Sequence, residues 1–219
     1  MALSVYERDD ILAMEKRYRA AFVNSLSGFK SANLLGTSDS NRQTNLCIVS
    51  SAFHLGANPA LMGVIIRPDT VPRDTLENIR ETGIYTLNHV QKEMVVAAHQ
   101  TSARYPHGVS EFEQVGLTPL WRERINAPYV QEAAIRLGLI LREEHTMAIN
   151  GTHLLVGEII EAHVPDSCIS HDGFVDIEQA GTVALSGLDS YHCTDRVGRL
   201  SYAKPDSMPE WLDQRVRDI

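Results

Sequence analysis

The residues best suited to chemistry are polar side chains that end one predicted strand and begin the next helix. Arg67 ends an apolar run, and two prolines then lead to Arg73, which precedes a predicted helix start. The full polar set is Asn45, Ser50, Ser51, His54, Arg67, Arg73 and Thr75. Guanidinium groups, hydroxyls and the backbone amides at a helix N-terminus are what a phosphate monoester requires, so this set predicts a phosphate site.

Ordinary structural roles also fit these residues. The serines and the asparagine suit a plain strand or a strand edge, and the two arginines can form surface ion pairs with Asp69 and Asp74. Asp74 also counts against a phosphate site, because its carboxylate would cap the same helix amides and repel a second anion unless it turns aside. The local pattern leaves both interpretations open.

Motifs typical of other chemistries are missing from the sequence. It contains no GxSxG, HExxH, GxxxxGK[ST] or GxGxxG pattern. The histidines are dispersed without a helical pair around a carboxylate, so no metal site is expected. The acidic runs EFE at 111–113 and REE at 142–144 are interpreted as solvated faces. Cys47, Cys168 and Cys193 are far apart, which favours free thiols.

Composition limits the class of protein. The chain has 219 residues and a formal net charge of −8. This suits one domain and argues against a nucleic-acid binder, which would need a basic face. No apolar run approaches the ~20 residues that span a bilayer, and the charged N-terminus lacks a signal-peptide core. We therefore expect a cytoplasmic protein with no membrane partner.

The elements that must position the polar set are mostly strands. Strands are predicted at residues 30–38, 44–53, 60–66, 84–90, 133–147 and 153–164, and helices at 7–25, 74–82 and 91–102. HLGANP at 54–59 is interpreted as a loop, and residues 103–128 as irregular, with helical turns near EFEQ and LWRER. Turn signals such as DSNR and AINGT indicate antiparallel hairpins and favour a closed or nearly closed antiparallel barrel.

An ordered set of segments resembles the flavin reductase-like, FMN-binding split-barrel family. The longest run extends from GFKSANLLG to IYTLNHV and includes NLCIVSSAF and the DTLENIRETG helix. ARYPHGVSEFEQVGL at 103–117 and HLLVGEI at 153–159 are similar to further family segments. The resemblance implies a mainly β fold with inserted helices, a six-stranded antiparallel split β-barrel. It implies one domain over residues 1–219, with an N-terminal helix and an irregular C-terminal extension.

The resemblance also implies a cofactor and its contacts. Members are usually homodimers that bind FMN non-covalently in a groove at the dimer interface. The implied cofactor-binding residues are Asn45, Leu46, Cys47, Ile48, Val49, Ser50, Ser51, His54, Arg67, Arg73 and Thr75. The phosphate would be held by the strand and chiefly by Arg67 and Arg73, with Thr75 near, and the isoalloxazine would lie along Leu46 to Ser50.

His153 aligns with a family histidine that lies near the nicotinamide and the flavin. The residue before it is Thr152, where the family usually has Asp. This departure bears on the use of NAD(P)H, and a structural role at a strand start is the alternative for His153.

Three functions from different classes fit the resemblance. The first is an NAD(P)H:flavin oxidoreductase that passes electrons to oxygen, to a partner monooxygenase or to another redox protein. Hydride transfer to a flavin needs stacking and orientation but no protein acid or base, so no firm catalytic residue is expected. The second is a flavoredoxin-like FMN electron carrier without a nicotinamide site. The third is a cofactor-binding split barrel without turnover.

Overall fold

The computed structural model describes residues 2–68 and 74–214. Its helices are α1 (Arg8–Ala13), α2 (Lys16–Leu26), α3 (Asp74–Thr82), α4 (Val95–Gln100) and α5 (Glu111–Val115). Short 3-10 turns lie at Lys92–Met94 and Asp166–Cys168. Within these described ranges, no helix is both long and apolar enough to cross a membrane.

Strands form most of the regular structure. They are β1 (Lys30–Ser31), β2 (Asn33–Ser38), β3 (Thr44–Val49), β4 (Ala52–Ala57), β5 (Ala60–Ile66), β6 (Ile84–His89), β7 (Pro119–Arg122), β8 (Ile125–Val130), β9 (Arg136–Thr146), β10 (His153–His163), β11 (Ala184–Ser186), β12 (Ser190–His192), β13 (Gly198–Leu200) and β14 (Trp211–Gln214). The main sheet is antiparallel and has the order β3-β2-β6-β9-β10-β5-β4. Smaller sheets are β1-β11-β12, β7-β8 and β13-β14.

The main sheet closes into a barrel because its two edge strands are consecutive in the chain. Only Ser50 and Ser51 separate β3 from β4, yet β3 pairs with β2 at one edge and β4 pairs with β5 at the other. The Ile65 N–H donates to the Ser51 carbonyl at 3.2 Å, which extends the β4–β5 ladder into the junction. Counted as one bent strand, β3 and β4 complete the six-stranded antiparallel split barrel that the sequence predicts.

The segment 54–59, predicted as a loop, is largely strand. β4 continues to Ala57, which pairs with Ala60 of β5. Most of its side chains after Ala52 are exposed, and its register shifts between His54 and Gly56. The segment therefore lacks the alternating burial by which a strand is identified from sequence. Hydrogen bonding to β5, rather than burial, holds it extended.

The barrel interior is an apolar cluster that α3 helps to cover. Leu76 and Ile79 of α3 pack in this cluster with Leu35 and Tyr85. Gly157 lies so close to the Tyr85 ring that a Cβ at this position would overlap the Tyr85 hydroxyl. The glycine is therefore required by close packing rather than by backbone conformation.

The N-terminal segment forms two helices rather than the single helix predicted over residues 7–25. α1 ends at Ala13, and Glu15 begins α2 by accepting hydrogen bonds from the backbone N–H groups of Arg17 (2.8 Å) and Tyr18 (3.0 Å). Neither helix contains a buried residue. The predicted apolar spacing therefore marks a face whose side chains the single chain leaves half-buried or exposed.

Residues 119–130 form a hairpin that the sequence does not predict. β7 pairs with β8, and β8 packs against β2 and β6 of the main sheet. The predicted helical turn near LWRER is therefore wrong, whereas EFEQ is helical in α5, as predicted. Pro119, Pro128 and the charged turn between the strands obscure the alternating pattern on which a strand prediction depends.

Candidate functional site

In the described sheet order, β3 is an edge strand with an open backbone edge. The Leu46 N–H faces this edge, since it donates to Glu111 Oε2 at 2.9 Å rather than to β2. Residues in an antiparallel pair alternate between facing the partner strand and facing away. The backbone groups of Ile48, and of Ser50 at the strand end, therefore face the same edge. Residues 47–51 are half-buried, so the edge is partly shielded and still reachable.

The junction between β3 and β4 is tied to the end of β5. Ser51 Oγ donates to the Ile65 carbonyl at 2.9 Å. β5 ends one residue later, and Arg67 follows it with an exposed side chain. The fold thus brings Arg67 to the same end of the barrel as the serine junction. Arg73 and Asp69 lie outside the described residues, so the phosphate role of Arg73 stays a prediction.

Asn45 and Thr75 are buried and bonded to each other. Thr75 Oγ1 donates to Asn45 Oδ1 at 2.7 Å and lies 3.3 Å from Cys47 Sγ. Asn45 Oδ1 also accepts from Thr37 Oγ1 at 3.3 Å, and that hydroxyl accepts from Asn78 Nδ2 at 3.1 Å. These bonds fix the first turn of α3 to β3. The two side chains hold nearby backbone in place while their own polar atoms are engaged within the protein.

Glu111 of α5 contacts the same strand and is buried. Its Oε2 accepts from Asn45 Nδ2 and from the Leu46 N–H, both at 2.9 Å. Burial raises the pKa of the Glu111 carboxyl, and the hydrogen bond from Leu46 opposes that rise. The interpretation of EFE as a solvated face is wrong for Glu111, whereas Glu113 is exposed.

Sequence reasoning missed Glu111 because its partners lie 65 and 66 positions upstream. The one usable signal is helical spacing, which puts Glu111 on the same face as Val115, four residues later. Val115 packs against an apolar cluster outside the barrel, to which Ile48 of β3 also contributes. That spacing indicates burial but does not identify a partner.

The carboxylate at the start of α3 is turned toward the loop before α5. Asp74 Oδ1 lies 2.8 Å from His107 Nδ1. This hydrogen bond and the charge of Asp74 raise the pKa of His107. Protonated His107 neutralises the carboxylate, which weakens the objection that Asp74 would repel a second anion at this helix start.

The two predicted histidines differ in exposure. His54 lies exposed on β4, opposite Met62 of β5. His153 is 3% exposed, and its Nδ1 lies 2.9 Å from Glu144 Oε1. Arg80 donates to the same carboxylate and holds the pKa of Glu144 below its usual range, so an ionised acceptor faces His153 Nδ1. Contact of His153 with a nicotinamide stays a prediction.

The fold recurs in proteins of known structure. A candidate flavin reductase with a split barrel domain from Shewanella frigidimarina NCIMB 400 is 52% identical, with a TM-score of 0.88, over 91% of this chain and 100% of its own. Flavoredoxin of Desulfovibrio vulgaris (Miyazaki F) is 25% identical, with a TM-score of 0.67, over 82% of this chain and 92% of its own. Nitrilotriacetate monooxygenase component B from Bacillus cereus shares the fold at 21% identity and a TM-score of 0.78, over 90% of this chain and 98% of its own.

A family model gives the more direct assignment. The model of the flavin reductase like domain matches residues 26–175, which is more than half of the chain. The matched range contains β3, the start of α3, α5 and His153. The chain therefore belongs to the flavin reductase-like domain family.

Proposed function

We propose that this chain binds FMN non-covalently and is an NAD(P)H:flavin oxidoreductase that passes electrons to a separate acceptor. The observation that carries the proposal is the open backbone edge of β3. The pyrimidine side of a flavin presents carbonyl acceptors and an N–H donor. The N–H and C=O groups of Ile48 and Ser50 are complementary to them. Membership of a flavin reductase-like family supports the same ligand class.

The phosphate would bind at the end of the barrel where β5 leads toward α3. Arg67 is exposed there, beside the serine junction. The amides of the first turn of α3 are fixed by the bond between Thr75 and Asn45, and such amides favour an anion. Arg73 is proposed to supply a second guanidinium group. A phosphate site of this kind selects FMN over riboflavin, which lacks the phosphate.

When bound, FMN supplies the hydride and electron transfer chemistry itself. The chain contributes binding, orientation of the ring and exclusion of water from one side of it. Neither task needs a protein acid or base, so no residue is proposed as catalytic. His153 is proposed to lie on the side where the nicotinamide approaches, held in place by Glu144.

We further propose that a second copy of the chain completes the FMN groove. Phe53 and Leu55 of β4 are 41% and 45% exposed on either side of His54. Several apolar side chains of α1 and α2 are exposed as well, among them Leu12 and Tyr18. Apolar surface beside the proposed binding edge fits a homodimer interface, with His54 near the cofactor. The proposed electron acceptor is a redox partner protein or a monooxygenase.

A flavoredoxin-like carrier without a nicotinamide site is the second candidate function. The observation that favours it is the burial of His153, which is engaged with Glu144. Thr152, in the place of the usual family Asp, favours it as well. The cofactor-binding barrel without turnover has no observation of its own in its favour.

Titration of the cofactor-free protein with FMN, monitored by the quenching of flavin fluorescence, tests binding. Riboflavin is the control for the contribution of the phosphate. Anaerobic addition of NADH or NADPH then tests hydride transfer through loss of flavin absorbance. Binding with bleaching supports the oxidoreductase. Binding without bleaching by either nicotinamide favours the carrier, and absence of FMN binding rejects both. Sedimentation velocity with and without FMN tests the homodimer.

A further inference from the structure

Glu111 is a carboxylate, 8% exposed, that the proposed cofactor contacts leave without a role. Burial of a carboxylate is costly unless hydrogen bonds satisfy it. Glu111 Oε2 receives two such bonds, from Asn45 Nδ2 and from the Leu46 N–H. Both donors belong to β3, the strand with the open edge. The carboxylate is thus built into the strand proposed to face the flavin.

The position of Leu46 along β3 determines how close the Glu111 carboxylate lies to the proposed flavin contacts. Its N–H is an open-edge group two residues before Ile48, so Glu111 occupies the start of the edge along which the ring is proposed to lie. Two residues of strand span about 7 Å. This range lies within the Debye length of about 8 Å at physiological ionic strength, and partial burial reduces the screening by salt further.

Glu111 also fixes the orientation of the Asn45 amide. The carboxylate accepts from Asn45 Nδ2, so Asn45 Oδ1 is the atom that faces Thr75. A reversed amide would place two acceptors, the Asn45 oxygen and the carboxylate, against each other. The Glu111 carboxylate therefore fixes both the position of the β3 edge at Leu46 and the orientation of the Asn45 amide that links β3 to the start of α3.

We propose that Glu111 is a positioning residue for the flavin, which fixes the open edge of β3 and disfavours the reduced cofactor through its negative charge. The inference rests on the proposed FMN site. Reduced FMN carries more negative charge than oxidised FMN near neutral pH. A nearby carboxylate therefore weakens binding of the reduced form and lowers the midpoint potential of the bound flavin.

The test compares Glu111→Gln with Glu113→Gln, a matched change at an exposed position of the same helix. Glutamine keeps the shape of the side chain and one oxygen for the Leu46 N–H, and removes the charge. Glu111→Gln is expected to raise the affinity for reduced relative to oxidised FMN about tenfold, a positive shift of ~30 mV for a two-electron couple. Glu113→Gln is expected to leave the midpoint potential unchanged. A Glu111→Gln protein that binds FMN with the wild-type potential overturns the inference alone.

A second measurement covers the case in which Glu111→Gln does not fold. In cofactor-free wild-type protein labelled with ¹⁵N, the Leu46 amide proton bonded to the carboxylate is expected to resonate at low field and to shift when FMN is added. A Leu46 resonance that saturating FMN leaves in place overturns the positioning role. Failure of the wild type to bind FMN in the first titration overturns the proposed function and this inference together, before any variant is compared.

Discussion

The hydroxyl of Thr75 donates a hydrogen bond to the side-chain oxygen of Asn45 across 2.7 Å. This contact joins the first turn of α3 to β3, and both residues are buried. The resemblance assigns both residues to the cofactor, and in the fold they bind each other. Their contribution to a ligand site is therefore the fixed position of the backbone around them.

Replacement of Thr75 by valine is expected to lower the free energy of unfolding by about 1–3 kcal/mol. Asn45 Oδ1 would then keep only the longer bond from Thr37, at 3.3 Å. Urea denaturation followed by circular dichroism measures the change. The control is Thr118→Val, at an exposed threonine before β7, which should stay within about 0.5 kcal/mol of wild type. Equal effects of the two variants would argue against the anchoring role.

The barrel and helix α3 can be predicted from local signals in the sequence. The predicted bounds of β5 at 60–66 and of α3 at 74–82 are those of the structure, because turn residues and capping signals limit each segment. Local signals fail for the segment 54–59, which is predicted as a loop and is largely strand. It is held extended by pairing with β5 at an exposed edge, and pairing without burial leaves little pattern in the sequence.

The candidate site is harder to predict from the sequence than the fold is, for a related reason. The sequence places Asn45, Arg67 and Thr75 near one another through their elements. The structure brings Asn45 and Thr75 into contact, whereas Arg67 follows the end of β5 that is tied to the serine junction after β3. The sequence does not reveal that the side chains of Asn45 and Thr75 are hydrogen-bonded to each other. It also does not reveal that Glu111 is buried against Leu46, since that contact joins residues 65 positions apart. Local patterns indicate elements, whereas partners of buried polar groups depend on tertiary contacts.

Arg67→Ala and Arg73→Ala are each expected to weaken FMN binding by about 1.5–3 kcal/mol, the value of a hydrogen bond to a charged group. This corresponds to roughly tenfold or more in the dissociation constant, measured by fluorescence titration. Riboflavin binding should be the same in the variants and the wild type, because riboflavin has no phosphate. Arg124→Ala, at an exposed arginine in the β7–β8 turn, is the control. FMN affinity that is unchanged in both site variants would show that the phosphate assignment is wrong.

The pair of Asp74 and His107 predicts that FMN affinity falls as pH rises. The pKa of His107 is raised from its ordinary value of 6.5, chiefly by its hydrogen bond to Asp74. Below the raised pKa, protonated His107 neutralises the carboxylate, and above it the bare carboxylate repels a phosphate that is already dianionic above a pH of about 6. Titrations at pH 7 and pH 9 should therefore show weaker binding at pH 9.

Asp74→Asn should remove this fall in affinity, because no carboxylate then faces the phosphate. Glu77→Gln, at an exposed residue of the same helix, should retain it. A fall of equal size in Asp74→Asn and in the wild type would assign the pH dependence to another group.

Glu144 is expected to stabilise the fold at neutral pH and to lose that effect in acid. The hydrogen bonds from Arg80 hold the pKa of Glu144 below its ordinary value of 4.5. The folded protein then binds fewer protons than the unfolded chain, so the stabilisation is present above pH 4.5 and is lost as pH falls through the lowered folded pKa. Glu144→Gln should lower the free energy of unfolding at pH 7, and the difference from wild type should shrink in acid.

Urea denaturation at several pH values between 7 and 3 measures this trend. Glu143→Gln is the matched control, since the Glu143 side chain is 62% exposed and pairs with His145 on the same strand. A constant difference between Glu144→Gln and wild type across the pH range would contradict the linkage to Arg80 and His153.

Tyr85 is expected to tolerate loss of its hydroxyl with a gain in stability. Within the described ranges, Tyr85 Oη is buried without a hydrogen-bond partner, and burial raises the pKa of the phenol. A buried hydroxyl without a partner costs free energy relative to water. Tyr85→Phe should therefore raise the free energy of unfolding by about 1 kcal/mol in urea denaturation. A loss of that size would indicate that the hydroxyl has a partner in solution.

The close approach of Gly157 to the Tyr85 hydroxyl allows the same position to be tested from β10, which is separated from β6 in the sheet by β9. Gly157→Ala is expected to destabilise the fold by about 1–3 kcal/mol, because the new methyl group overlaps the Tyr85 hydroxyl in a packed core. In the double variant, Tyr85→Phe removes the atom nearest to the new methyl and should recover part of the loss. A double-mutant cycle measures this coupling as the departure of the double variant from the sum of the single changes. Strict additivity would mean that β10 moves away from Tyr85 when the methyl is added, and that the close packing of Gly157 does not limit the barrel.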